Sequence, residues 1–134
     1  MKPVFIVEGH SDARQIVGAL HDCGMPFKVI VTDGTKMNNK NALNIDLAVL
    51  DGYTPFILSD PDEAGDHLAE MILRFFPDID RINADFDECK YCKDLKKMKM
   101  KAGIEYASYK YLRKLLYPYI GLTYVDPDEW IYDD

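Results

Sequence analysis

No apolar run in the sequence approaches the roughly 20 residues that a membrane helix needs, so no spanning segment is expected. Cysteine is scarce as well. Cys23, Cys89 and Cys92 form an odd count too sparse for a disulfide framework, which excludes a disulfide-stapled secreted scaffold and fits a reducing compartment. Cys89-X-X-Cys92 has no second pair to complete it, and the only histidines are His10, His21 and His67, so no zinc site is expected. The first strand-like run begins almost at Met1, and no signal peptide is discernible, which makes the cytoplasm the expected location. Internal repeats and low-complexity tracts are lacking too.

Net positive charge is also lacking. The formal net charge of -7 excludes indiscriminate binding to polyanions, which rests on lysines and arginines neutralising phosphates. The charge is unevenly spread, however. From Lys90 to Lys101 there are six lysines against the single acid Asp94, whereas Asp126 to Asp134 carries five acids and no base. What remains is a chain of 134 residues, 48% hydrophobic, with the size and composition of one domain that buries its own core.

Val4-Phe5-Ile6-Val7 is a β-branched, wholly apolar run ending at Glu8-Gly9, the pattern of a strand buried on both faces in a parallel sheet. Ser11 is placed to cap a helix in which Ala13, Ile16, Val17 and Leu20 recur at helical spacing. Residues 27–32 read as a second strand, Asp33-Gly34 as a turn, residues 35–41 as a polar loop and 42–50 as a short helix. Residues 55–59 give a third buried strand, followed by a helix with Ala64, Leu68, Met71, Ile72 and Phe75 on its apolar face. A fourth strand is expected over residues 79–84, then a lysine-rich loop, then a helix capped by Ser108 with Tyr111, Leu112, Leu115 and Leu116 inward. Strands alternating with helices predict an α/β domain, a central and mostly parallel sheet with helices on both faces, over residues 1–120. Residues 121–134 form an acidic, aromatic tail around Trp130, suited either to packing back or to docking a protein partner.

In such sheets ligands bind beyond the carboxyl ends of the strands, and the acids of this sequence fall there. Glu8 ends the first strand. Asp60 and Asp62 follow the third across Pro61, where carboxylates at i and i+2 can converge on one hard cation. Magnesium, with manganese as a substitute, suits so few oxygen ligands, because water and substrate phosphate complete its shell. Asp12 reads either as a first-turn acid complementing the helix dipole or as a partner of Glu8 in holding a second metal. Asp62 also suits a helix cap, and His10 reads either as an exposed loop residue or as a phosphate contact. Lys90, Lys93, Lys96, Lys97, Lys99 and Lys101 are a solvated face or a phosphate grip flanking the metal edge.

Val7-Glu8-Gly9 followed by Asp12, and then Ser59-Asp60-Pro61-Asp62-Glu63-Ala64-Gly65, resembles the signature of the Toprim family, shared by primases, topoisomerases and nucleases. Within that superfamily the chain is most similar to ribonuclease M-five, the maturase of 5S ribosomal RNA, and its small relatives. Thr32-Asp33-Gly34-Thr35 with Asn38, and Gly103-Ile104-Glu105-Tyr106-Ala107-Ser108, carry that likeness, which spans residues 4 to about 116. The resemblance implies a Toprim fold, Glu8 as general acid or base, and Asp60 and Asp62 as metal ligands. It further implies Asp12 and Glu105 as supporting acids, and Gly9, Gly34 and Gly65 as residues permitting close turns. Where topoisomerases carry a third acid this chain has Ala64, which argues against strand passage and religation. The further carboxy-terminal region of ribonuclease M-five has no counterpart here, which argues against 5S maturation.

Three functions follow from these observations. The foremost is a magnesium-dependent nuclease acting on structured RNA or, second, on DNA. The others are a partner-dependent nucleic-acid-binding module and the catalytic piece of a split primase.

Overall fold

The computed structural model describes residues 2–94, 96–97 and 99–126; of Cys92, Lys93, Asp94 and Lys99 it describes the backbone. A four-stranded parallel sheet organises the chain. Its strands are β1 (Pro3–Val7), β2 (Lys28–Val31), β3 (Thr54–Ile57) and β4 (Asp80–Arg81), in the order β2-β1-β3-β4. Val7 pairs with Val31 and Ile6 with Ile57, so the strand tips are level along one edge.

Alternation along the strands divides the core in two. Phe5, Val7, Phe56 and Leu58 point to the face covered by α1 (His10–Leu20) and, near the end of the chain, by the helix at Tyr109–Leu116, where Ile16, Leu20, Leu112 and Leu116 meet them. Ile6 and Ile57 point the other way, onto Ile45 of α2 (Asn39–Leu50) and Leu68 and Ile72 of α3 (Glu63–Phe75). Both faces are therefore dry, which is why β1 tolerates no polar residue along its length. The α/β sheet with helices on both faces is as the sequence pattern indicates.

Several local expectations are corrected. Ser11 does not cap α1: Gly9 holds the cap position, and Asp12, three residues on, reaches back to accept the Gly9 amide at 3.2 Å. The polar loop is shorter than expected, because Asn38 caps α2 through the Asn41 amide at 2.8 Å and the helix starts at Asn39. Val17, Ala64 and Phe75 lie outside the core, since the helical faces are narrower than the apolar pattern implies.

The lysine-rich loop is instead a hairpin. It follows the short helix α4 (Phe86–Cys89) and comprises the antiparallel strands β5 (Lys90–Asp94) and β6 (Lys99–Ala102), with an irregularity between Cys92 and Asp94. A 3-10 turn at Ile104–Tyr106 then leads to α5 (Tyr109–Leu116), capped by Ser108 as expected. Gly18 allows α5 to approach α1, for a methyl group there would overlap the Tyr109 ring. Leu122 packs on the core and Asp126 pairs with Lys110 at 2.9 Å. Trp130 and the rest of the expected tail lie outside the described residues.

Candidate metal and nucleic-acid site

The carboxyl edge of the sheet carries a cavity of about 340 Å³ lined by Glu8, Gly9, His10, Ser11, Asp12, Asp60, Asp62, Ala64, Lys101 and Glu105. Residues from three stretches of sequence, 8–12, 60–64 and 101–105, converge there, and each is held for an identifiable reason.

Glu8 follows β1 directly, and its carbonyl accepts the amides of Asp33 at 2.8 Å and Gly34 at 3.3 Å. That grip needs a left-handed turn after β2. Asp33 has φ 57° and Gly34 φ 127°, the second of which strongly favours glycine. The turn is fixed from behind by Thr32, whose hydroxyl donates to the Gly34 carbonyl at 2.7 Å. Asn41, almost fully buried, donates to the carbonyls of Thr32 at 3.0 Å and Lys36 at 3.2 Å. Thr32, Gly34 and Asn38 are thus scaffolding for the Glu8 backbone and the start of α2.

Asp60 and Asp62 are held from the other side. Asp62 caps α3, its Oδ1 accepting the Gly65 amide at 2.7 Å, and Asp60 Oδ1 accepts the Ile104 amide at 2.8 Å. Gly65 lies directly against the Asp60 backbone, where any side chain would overlap the carbonyl. Arg81, at the tip of β4, donates to that same carbonyl at 3.2 Å while pairing with Asp66 at 2.7 Å.

Asp12 is 6% exposed, and both of its oxygens are engaged: Oδ2 by the Gly9 amide and Oδ1 by the Glu105 amide at 3.0 Å. Successive amides, those of Ile104 and Glu105, therefore hold the acids Asp60 and Asp12. Each oxygen so engaged keeps a second lone pair for a cation.

Burial, and after it the crowding of like charges, governs the electrostatics. Burial, and then the proximity of Asp12, Asp62 and Glu8, push the Asp60 carboxyl up to about 7 despite the opposing Ile104 hydrogen bond. Glu8 is raised by burial and by Asp62 and Asp12, with Lys101 acting against them. Asp12 is raised by burial, against the pull of its two backbone donors. Such repulsion between hard oxygen donors is what a divalent cation relieves, and the donor set therefore fits magnesium. Among the described residues no three acidic, histidine or cysteine side chains already form a ligand set. Magnesium requires less than that, since one or two carboxylates plus water and phosphate satisfy it.

The lysines separate into groups. Lys101 lines the cavity, and its ammonium bonds the Tyr106 hydroxyl, which raises its pKa further. Lys90 instead pairs with Asp87 at 3.3 Å. Lys96 and Lys97 are exposed at the turn of the hairpin, and the side chains of Lys93 and Lys99 lie outside the described residues. His10 is exposed at the first position of α1, on the cavity rim. Cys89 is buried in the core, its thiol pushed up to about 12 by burial, so it is a packing residue.

Arg81, Asn41 and the Ile104 amide were not foreseen as parts of the site. The first two look like ordinary surface polar residues in sequence, and a backbone amide has no sequence signal except the Gly103-Ile104-Glu105 segment that carries it.

The Toprim domain family profile matches residues 3–98. The chain belongs to the Toprim family. Toprim domains are metal-dependent nucleic-acid-processing domains, and the matched residues include Glu8, Asp12, Asp60 and Asp62. Among solved structures, a small Toprim domain protein from Bacillus stearothermophilus shares the fold with a TM-score of 0.59 at 23% identity, over 85% of this chain and 84% of that one. No curated protein sequence matches this one. Among the described residues of this Toprim chain, no helix is long and apolar enough to cross a membrane.

Proposed function

We propose that this Toprim domain is a magnesium-dependent nuclease of the ribonuclease M-five type, acting on RNA or DNA, with Glu8, Asp60 and Asp62 as its working residues. One observation carries the reading: acids from the tips of β1 and β3 line a single cavity with Lys101, where burial and neighbouring carboxylates raise the pKa values of Asp60 and Glu8.

Asp60 and Asp62 would hold the cation, manganese serving in place of magnesium, with Glu8 and Asp12 within the same cavity. When bound, the cation neutralises charge on the scissile phosphate and orients the attacking water. Glu8 takes the proton from that water. Its raised pKa brings it closer to the operating pH and makes it a better base than an exposed glutamate. Lys101 holds a non-bridging phosphate oxygen, and the hairpin lysines other than Lys90, which pairs with Asp87, contact flanking phosphates. Asp12 keeps Gly9 and Glu105 in place, and through them the turn that presents Glu8. Ala64, on the cavity wall where topoisomerases carry a third acid, supports hydrolysis over strand passage and religation.

Calorimetric titration with MgCl2 tests the metal half of the proposal. Wild type should bind, and Asp62→Asn should bind at least ten-fold more weakly while keeping its fold. Equal affinity in both proteins would remove Asp62 from the site.

A further inference from the structure

Seven of the nine tyrosines cluster late in the chain, yet Tyr106 is met by one of the two that do not. Tyr91, on β5, stacks on Tyr106 with ring centroids 4.8 Å apart and planes 13° from parallel. Tyr91 remains 53% exposed. It stands directly across the hairpin from Lys101, and side chains of directly opposed residues share a face, so Tyr91 lies on the side of the hairpin that borders the acidic cavity.

The stack reaches inward to the acids. A methyl placed on Gly103 would lie 3.3 Å from the Tyr106 ring and 3.6 Å from Asp60 Oδ1, so ring and carboxylate flank the same glycine. Lys101 steadies the ring, bonding the Tyr106 hydroxyl with its ammonium 5.8 Å from the ring centroid. The sequence in space is therefore carboxylate, glycine, inner ring, outer ring, solvent.

We propose that the outer face of Tyr91 is a stacking platform for one unpaired base of the substrate strand, beside the nucleotide whose phosphate enters the cavity. The inference rests on the nuclease reading above and narrows its substrate to single-stranded nucleic acid or a single-stranded segment of a folded one. An aromatic ring takes any base by its π-face, whereas bases in a duplex are already stacked on one another and offer no face. Rigid support from Tyr106 means that little side-chain freedom is lost when a base docks. Lys101, beside the platform, supplies the accompanying phosphate contact.

The test is equilibrium binding by fluorescence anisotropy, with CaCl2 replacing MgCl2 to limit cleavage. The probes are a single strand, the corresponding duplex, and a strand of equal length whose residues are abasic, each as DNA, with the single strand and duplex repeated as RNA. Tyr91→Ala should weaken single-strand binding about ten-fold, as expected for loss of one stacked base. It should leave the duplex and the abasic strand unchanged, and Tyr91→Phe should bind like wild type. Circular dichroism would verify the fold of both variants. Equal loss on all probes, no loss on any, or Phe as poor as Ala would overturn the platform. If duplex is bound in CaCl2, and is cleaved when MgCl2 is restored, with Tyr91→Ala unaffected throughout, the platform falls and the nuclease reading stands; if wild type binds none of the probes, both fall.

Discussion

The Ile104 amide donates to Asp60 Oδ1 at 2.8 Å across 44 residues of sequence, and the Glu105 amide does the same for Asp12 at 3.0 Å. Acids at the sheet edge are thereby tied to the turn that precedes α5, so the site is braced by a segment lying beyond the sheet.

Removing a brace should cost stability. Asp12→Ala leaves the Gly9 and Glu105 amides without their acceptor at a position 6% exposed. An expected loss of about 1–3 kcal/mol follows from leaving buried donors unsatisfied, measurable by urea denaturation. A change near zero would mean that water replaces the carboxylate freely.

Gly65→Ala should damage fold and site together. The added methyl would overlap the Asp60 carbonyl, and relief requires α3 to move from the residue it positions. Overpacking of this kind costs about 1–3 kcal/mol, and magnesium affinity should fall with it. Gly24→Ala is the control: its φ of 75° strains the backbone, but nothing lies within 4 Å.

The metal-free protein should lose stability as pH rises from about 4 toward 7. Asp60 is raised from 3.8 to about 7, so the folded state binds its proton more tightly than the unfolded state. Stabilisation from that proton is complete below the unfolded pKa and is lost as pH passes through the folded value. Glu8 and Asp12 are shifted in the same direction. Melting temperature measured with and without MgCl2 should therefore show a larger gain from magnesium at pH 8 than at pH 5, and Asp60→Asn should reduce the difference. Equal gains at both pH values would contradict the crowding of the acids.

Lys101 and Lys90 should behave differently. Lys101→Gln should weaken nucleic-acid binding, reduce the salt slope by about one, and shift the acidic limb of the activity profile upward, because Lys101 opposes the rise in the Glu8 pKa. Lys90→Gln should do little, its ammonium already being paired with Asp87. Identical effects would make the hairpin an undifferentiated basic surface.

Much of this was legible in sequence because buried strands and their tips follow simple rules. Val4 to Val7 could only be a strand dry on both faces, and Glu8 at its end, matched by Asp60 and Asp62 after β3, had few structural explanations. Other features depend on long-range partners that periodicity does not encode. Ser11 looks like a cap until Asp12 is seen to serve Gly9. The lysine run has too little apolar alternation to announce β5 and β6, whose pairing is with each other alone among the described strands. Tyr91 and Tyr106 meet only because the hairpin and the following turn fold against each other.

Cleavage of labelled structured RNA, duplex DNA and single-stranded DNA with MgCl2, comparing wild type with Glu8→Gln and Asp60→Asn, is the most direct measurement. Metal-dependent cleavage of at least one polymer by wild type, reduced a hundred-fold or more in both variants, is the expected result for a general base worth about 10²–10⁴ in rate and a metal ligand beside it. Binding without cleavage by the wild type, or full activity in either variant, would contradict it.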